Sequence, residues 1–255
     1  MELQLPEIDL GTMGIEDPDA IARAIEIGYR HLDTAQIYEN EDVVGEGISR
    51  ADVPREELTV ATKVWADDLA PEDVRRSTEE SLDRLGLDRV DLLYVHRPIE
   101  AYDPEATLPA FDELRAEGLI EHVGVSNFTT AQFEEASEIL DSPITANQVE
   151  RHPFYREDDL LEYAREDGHT LVAYSPLAQG KVFDDPVLGG IAAERGISEA
   201  QVSLAWLAGT DGVVPIPKAS SVDHLEANLV AGGIELTREE RARIDGIGEE
   251  GKLFE

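Results

Sequence analysis

Gly28-Tyr29-Arg30-His31-Leu32-Asp33-Thr34-Ala35-Gln36-Ile37-Tyr38-Glu39-Asn40-Glu41 places an acid and a phenol five residues apart, just past a short strand expected at Arg30 to Leu32. Two more chemistry-bearing residues stand at the ends of apolar strands. Lys63 follows Leu58-Thr59-Val60-Ala61-Thr62, and His96 follows Val90-Asp91-Leu92-Leu93-Tyr94-Val95. Asp33, Tyr38, Lys63 and His96 therefore form one constellation by position relative to their strands.

Outward from this stretch, strand-like and helix-like segments alternate along the whole chain. Strands are expected at Ile8 to Leu10, Arg30 to Leu32, Leu58 to Thr62, Val90 to Val95, His122 to Val125, Ala146 to Val149, Thr170 to Tyr174 and Val213 to Ile216. Helices are expected at Pro18 to Ile27, Asp42 to Ser49, Pro71 to Leu85, Pro104 to Ala116, Thr130 to Leu140, Asp158 to Arg165, Ser198 to Leu207 and Val222 to Val230, with an extra one at Arg238 to Ile247. Pro18, Pro71 and Pro104 suit first helical turns, where no amide donor is lost. Eight such units predict an α/β fold, a (β/α)8 TIM barrel of eight parallel strands with an additional C-terminal helix. In that fold the chemistry sits at the carboxyl ends of the strands, where the constellation falls. A doubly wound sheet competes, but Leu10-Gly11-Thr12-Met13-Gly14 lacks the GxGxxG spacing of a dinucleotide-binding turn.

The chain has 255 residues, 42% apolar, and no linker or low-complexity stretch, so residues 1–255 are expected to form a single barrel domain. No basic-then-apolar leader and no long apolar span is visible, which predicts a cytoplasmic protein without a membrane partner. Cysteine is absent, excluding disulfides and thiolate chemistry. The net charge of −35 comes from 56 acidic residues against 21 lysines and arginines, spread over the chain instead of gathered in a tail. Such a surface repels itself in dilute buffer and becomes tolerable at about 1 M salt, where the Debye length falls to about 3 Å. It reads as adaptation to a very salty cytoplasm, with an ordinary acidic protein as the plainer alternative. Nucleic-acid binding is disfavoured, since phosphate neutralisation needs basic patches. A monomer or weak oligomer is expected.

The quoted stretch resembles the second-strand motif of the aldo-keto reductase superfamily. Further matches are Thr62-Lys63-Val64-Trp65, His96-x-Pro98, Gly124-Val125-Ser126-Asn127-Phe128, Asn147-Gln148-Val149-Glu150, Tyr174-Ser175-Pro176-Leu177 and Ile216-Pro217-Lys218. They follow the family's order, each at a predicted strand end, and the resemblance covers nearly the whole chain.

The chemistry has its own logic. Reducing a carbonyl needs a hydride donor at carbon and a proton donor at oxygen. Tyr38 is the natural acid: a free phenol has a pKa near 10, and a neighbouring Lys63 ammonium is expected to lower it toward working pH. Asp33 would keep that ammonium charged. His96 would bind the substrate oxygen and, with Tyr38, stabilise developing negative charge. Taken singly, Asp33 could be a helix cap, Tyr38 packing, His96 a core histidine and Lys63 a Schiff-base lysine. His31, His122, His152 and His169 show no metal-like spacing and need no catalytic role; no metal is expected.

The resemblance implies a nicotinamide cofactor, NADPH first and NADH as a possibility, and a small carbonyl compound as substrate, aldehyde, ketone or dicarbonyl. It implies that Tyr174 stacks on the nicotinamide, that Ser126, Asn127 and Gln148 bind its carboxamide, that Thr12 and Met13 border the ribose, and that Ser175 and Leu177 border the pyrophosphate. Lys218, Ser220 and Ser221 would grip the adenosine phosphate, with His224 against the adenine and Asn228 in contact with it. His224 stands where many relatives carry arginine, and lacks its permanent charge and bidentate fork. For the substrate the implied residues are Trp65, His96, Arg97 and Phe128, with Arg97 replacing a frequent aromatic. The short C-terminal segment implies an open, unselective pocket, and the bottom-plugging hairpin looks abbreviated to Leu3 to Ile8. A cofactor-binding redox sensor or regulatory subunit with little turnover is the alternative.

Overall fold

Strands buried on both faces read as near-continuous apolar runs, and helices that cover them carry one apolar stripe. The computed structural model describes residues 3–248 and 250–254, and both patterns resolve there into an eight-stranded parallel barrel. Strands β1 (Leu10–Gly11), β2 (His31–Asp33), β3 (Thr59–Val64), β4 (Val90–Val95), β5 (Ile120–Ser126), β6 (Ile144–Glu150), β7 (Thr170–Tyr174) and β8 (Val213–Pro215) pair in sequence order. The ring closes where the Asp9 and Gly11 amides donate to the carbonyls of Pro215 and Pro217, at 3.1 Å each.

Helices α1 (Pro18–Ile27), α2 (Glu41–Arg50), α3 (Pro71–Leu85), α4 (Pro104–Glu117), α5 (Thr130–Ile139) and α6 (Asp158–Asp167) form the outer layer of the first six units. The connection from β7 to β8 departs from the expected single helix. It contains a 3-10 stretch at Ala178–Asp184 and two helices, α7 (Pro186–Arg195) and α8 (Glu199–Ala208). The start and stop of α7 follow known rules: the Asp185 carboxylate caps the amides of Val187 and Leu188, Pro186 opens the first turn, and Gly196 closes it at φ +68°. Gly189 and Gly190 inside it dilute the helical pattern. α9 (Val222–Ala231) completes the eighth unit, and α10 (Arg238–Asp245) is the additional C-terminal helix. Among the described residues, no helix is long and apolar enough to cross a membrane.

Two further differences concern the ends of elements. β1 and β2 run one or two residues later than expected, which puts Asp33 inside the strand end instead of beyond it. Residues 3–8 form no strand, so the abbreviated hairpin is absent. Leu3 and Leu5 instead pack against the barrel-interior cluster of Ala61, Leu92, Tyr94, Ala146, Val172 and Ile216.

Strand parity decides what enters the barrel. Side chains two apart share a face, so Ala61 carries Lys63 inward with it, Leu92 carries Tyr94, Ala146 carries Gln148, and Val172 carries Tyr174. The other parity, with Leu10, Leu32, Val60, Val64 and Val123, meets the helices in the largest apolar cluster. Two glycines permit close approaches. A Cβ at Gly124 would lie 2.6 Å from the Tyr94 ring, and one at Gly45 would lie 2.3 Å from the Leu85 carbonyl oxygen, where α2 meets α3.

Candidate active site

Asp33 ends β2, and Lys63 lies one residue from the end of β3, both on the inner parity, so their side chains converge across the β2–β3 pair. The Lys63 ammonium donates to Asp33 Oδ1 at 2.5 Å and to the Thr34 carbonyl at 2.7 Å. Both side chains are buried, Lys63 completely. Gln148, from β6 across the barrel, donates its amide to the other Asp33 oxygen at 2.7 Å. Burial by itself would lower the Lys63 pKa, but attraction to Asp33 and to Tyr38 outweighs it and holds the ammonium above the ordinary lysine value.

Tyr38 closes a single 3-10 turn, Gln36–Tyr38, that follows β2. The Lys63 nitrogen lies 5.1 Å from its ring centroid. The net shift of the phenol runs opposite to the sequence expectation. Burial raises its pKa, Asp33 adds to the rise, and the opposing pull of Lys63 does not cancel them. At neutral pH Tyr38 is therefore a protonated donor. The neighbouring motif residues brace this turn. Asn40 donates to the carbonyls of Thr12 and Ile15, buried Glu41 accepts from Thr62 and pairs with Arg84, and Gln36 accepts from the Trp65 amide while donating to Ser77. None of these three was singled out for its chemistry, and their work is to fix the loop that aims the phenol.

His96 follows β4 and packs edge-on against Tyr38 and Trp65, with ring centroids 6.0 and 5.0 Å apart. Burial, reinforced by Lys63 and Arg97, pushes its pKa down to about 2, so the ring is neutral at working pH. Its Nδ1 is buried with no hydrogen-bond partner among the described residues. An orphaned N–H is costlier than an orphaned lone pair, which puts the ring proton on Nε2 and makes that nitrogen the donor.

These groups open onto a cleft of about 590 Å³ at the carboxyl ends of the strands. Its lining takes in Thr12, Met13, Asp33, Tyr38, Trp65, His96, Arg97, Ser126, Asn127, Gln148, Tyr174, Ser175, Leu177 and Lys218, while Lys63 lies buried just beneath. Ser126, Asn127 and Gln148 are interlocked. The Ser126 hydroxyl donates to the Gln148 carbonyl, Asn127 donates to Ser126 and to the His96 carbonyl, and its side-chain oxygen accepts from the Tyr174 hydroxyl at 2.9 Å. Asn127 sits at φ +63° and Ser175 at +51°, left-handed conformations that tend to gather at functional sites. Thr12 donates to the Asp33 carbonyl.

Several expected residues lie elsewhere. Phe128 does not face the cleft; it is buried edge-on against Tyr102 at 5.5 Å, in the layer between barrel and helices. Ser220, Ser221, His224 and Asn228 lie past the cleft's end at Lys218, along the start of α9. Ser221 caps that helix by accepting from the His224 amide, and Asn228 is buried one turn beyond exposed His224 on the same face. The C-terminal segment, expected to leave the pocket open, folds back over it. The Leu253 and Phe254 amides donate to buried Glu150 at 2.8 and 3.1 Å, and Phe254 meets Tyr174 edge-on at 5.9 Å while lining the cleft. Phe183, from the 3-10 stretch after β7, also lines it. Neither aromatic stands in a recognisable motif.

The donor set fits a nicotinamide dinucleotide. A planar tyrosine, a cluster of amide and hydroxyl groups and a terminal lysine succeed one another around one cleft, as an extended anion with an aromatic head requires.

A parallel barrel with a buried lysine-aspartate pair, a protonated phenol and a neutral histidine at its strand ends has the chemical means to donate a proton to an oxygen in the cleft. The aldo/keto reductase family model matches residues 8–249. A methylglyoxal reductase (DkgB) of Escherichia coli is 36% identical over 251 residues, spanning 96% of this chain and 94% of its own. A glyoxal reductase of Bacillus subtilis is 36% identical, spanning 98% and 92%. The crystal structure of an aldo-keto reductase from a Medee basin deep-sea metagenome library superposes with a TM-score of 0.93 at 32% identity, covering 99% of this chain and 95% of that one. The chain belongs to the aldo/keto reductase family, oxidoreductases that reduce aldehydes and ketones to alcohols with a nicotinamide cofactor.

Proposed function

We propose that this protein reduces small aldehydes, dicarbonyls included, with NADPH as the preferred reductant, Tyr38 as the proton donor and His96 as the partner that binds the carbonyl oxygen. The observation that carries the reading is the Lys63 ammonium, held between Asp33 and the Tyr38 ring beneath the cleft.

The bound cofactor supplies a hydride to the carbonyl carbon, and the remaining work falls to the chain. The Nε2–H of neutral His96 and the Tyr38 hydroxyl hold the substrate oxygen between two donors. As negative charge grows on that oxygen, the Tyr38 proton moves to it, forming the alcohol. The resulting phenolate is stabilised by Lys63, whose own charge is secured by Asp33. A phenol with a raised pKa is a weak acid in the ground state, so the proton moves only as the oxygen becomes strongly basic. Trp65 and His96 form one wall of the substrate side.

Tyr174, Ser126, Asn127 and Gln148 would hold the nicotinamide end, Thr12, Met13, Ser175 and Leu177 the middle, and Lys218 with Ser220, Ser221, His224 and Asn228 the adenosine phosphate end. Lys218 supports NADPH over NADH, since a fixed cation favours the extra phosphate. The exposed imidazole of His224 supports a weaker discrimination than arginine would give. Small dicarbonyl substrates are supported by the methylglyoxal and glyoxal reductases among the relatives. The net charge of −35 supports a working environment of high salt, in the cytoplasm. Tyr38→Phe tests the assignment. NADPH consumption with methylglyoxal should fall by about a hundred- to ten-thousand-fold while NADPH affinity stays within a few-fold. Undiminished turnover would remove Tyr38 as the acid.

A further inference from the structure

Met13 stands in the loop after β1 and lines the cleft, yet 59% of it is exposed. A loose loop does not account for that exposure, because the residues on either side are pinned. The Thr12 amide and hydroxyl donate to the Asp33 carbonyl, the Ile15 amide donates to the Thr12 carbonyl at 2.9 Å, and Asn40 donates to the carbonyls of both. Gly14 makes the turn between them at φ +73°. The thioether is thus held at the mouth of the cleft instead of folding into the apolar layer.

Its chemistry is also singular. The chain has no cysteine and two methionines, so Met13 is the one sulfur among the described residues. A surface thiol that could intercept an oxidant first is absent from the sequence. The other exposed large apolar side chains, Ile37, Ile99, Phe183 and Val230, carry no sulfur to oxidise.

We infer that Met13 is an oxidation site: hydrogen peroxide converts it to the sulfoxide, and the sulfoxide weakens the hold on the nicotinamide cofactor. The peroxide O–O bond breaks, one oxygen bonds to sulfur as sulfur loses two electrons, and the other oxygen leaves as water with both hydrogens. This role goes beyond the reductase reading and rests on it for the identity of the bound cofactor. In that reading Met13 borders the ribose, and more than half of the side chain is open to be covered by a ligand. The sulfoxide keeps the length of the side chain but adds an acceptor oxygen that must shed water to make the same contact. A methionine sulfoxide reductase supplied with a dithiol reverses the change, the oxygen leaving as water while two thiols become a disulfide.

The test treats the wild type and Met13→Leu with hydrogen peroxide in high salt and locates the added oxygen by peptide mass spectrometry, which also separates Met13 from Met1. NADPH affinity is followed by quenching of tryptophan fluorescence, since Trp65 lines the cleft, and turnover by the KM for NADPH with methylglyoxal. In the wild type Met13 should gain one oxygen, NADPH affinity should fall about three- to tenfold in step with the fraction oxidised, and the sulfoxide reductase should restore it. Peroxide should change the affinity of Met13→Leu by less than about 1.5-fold, whatever its starting value. An equal fall in Met13→Leu places the damage elsewhere and overturns the inference. So does a fully oxidised Met13 with unchanged NADPH affinity, or a Met13 that stays reduced while free methionine in the same solution is oxidised. An untreated wild type that binds NADPH but reduces no carbonyl overturns the reductase reading alone, since binding still reports on Met13. Failure to bind NADPH at all overturns both.

Discussion

Lys63→Met separates the structural work of the buried pair from its chemical work. The substitution leaves the Asp33 carboxylate 1% exposed, with its Oδ2 still bound by Gln148 but its Oδ1 without a counter-charge. The Thr34 carbonyl loses its donor as well. Removing one member of a buried ion pair costs about 3–5 kcal/mol, most of it the penalty of the stranded charge. In a chain of 255 residues that corresponds to a midpoint lowered by about 6–10 °C. Asp33→Asn strands the Lys63 ammonium instead and should cost a similar amount. The double variant Asp33→Asn/Lys63→Met buries no charge and should recover most of the loss, a coupling of about 2–3 kcal/mol. Urea unfolding of all four proteins at one high salt concentration measures the cycle, and NADPH consumption by the same proteins measures the chemistry. The double variant should unfold nearly like the wild type and still turn over about a hundred- to ten-thousand-fold more slowly. A coupling below about 0.5 kcal/mol would refute the view that the two charges depend on each other for their burial.

Tyr38, whose pKa burial holds above the ordinary phenol value, and His96, pushed down to about 2, leave the reduction rate without a titration across neutrality. The proposed reaction uses the protonated phenol, so kcat for reduction should stay level between about pH 6 and about pH 9, while alcohol oxidation, which would need the phenolate, should rise with pH. An inflection in the reduction profile near the ordinary histidine value of about 6.5 would contradict the neutral His96. Because both the dinucleotide and the protein are anionic, NADPH affinity should improve from dilute buffer toward about 1 M salt, where the Debye length falls to about 3 Å. Isothermal titration across that range checks it, and an affinity that steadily weakens while circular dichroism stays constant would show that the local Lys218 contact outweighs the long-range repulsion.

How much of the site could be read in advance depended on how a residue enters it. Asp33, Lys63, His96 and Tyr174 are set by backbone position: in a parallel barrel, a residue at or next to a carboxyl strand end on the inner parity is carried to the cleft end of the barrel whatever surrounds it, while Tyr38 is placed by the 3-10 turn that follows β2. The same rule made the eight units readable from alternating apolar runs and caps. Phe128 was misplaced because it lies beyond the end of β5, where parity no longer applies, and packing against Tyr102 fixes its direction. Phe183 and Phe254 reach the cleft through irregular segments, one past a kink with positive φ at Gln179 and Gly180, the other through a buried carboxylate on β6 that captures two amides near the end of the chain. No local pattern encodes such contacts.

The ionisation of Tyr38 marks the same division. Which groups surround it followed from strand order, and so did the presence of Lys63 nearby. The balance among burial, Asp33 and Lys63 is a sum of opposing effects that depend on depth and distance, and its sign came out against the sequence expectation. Sequence by itself determined the barrel, the gathering of Asp33, Tyr38, Lys63 and His96 at one end of it and the acidic composition, because these rest on periodicity, strand order and residue counts. Tertiary structure alone determined that the phenol is held protonated, that the C-terminal segment is drawn over the cleft, and that Phe183 and Phe254 join its lining, because each depends on which distant residues the closed ring brings within a few ångströms.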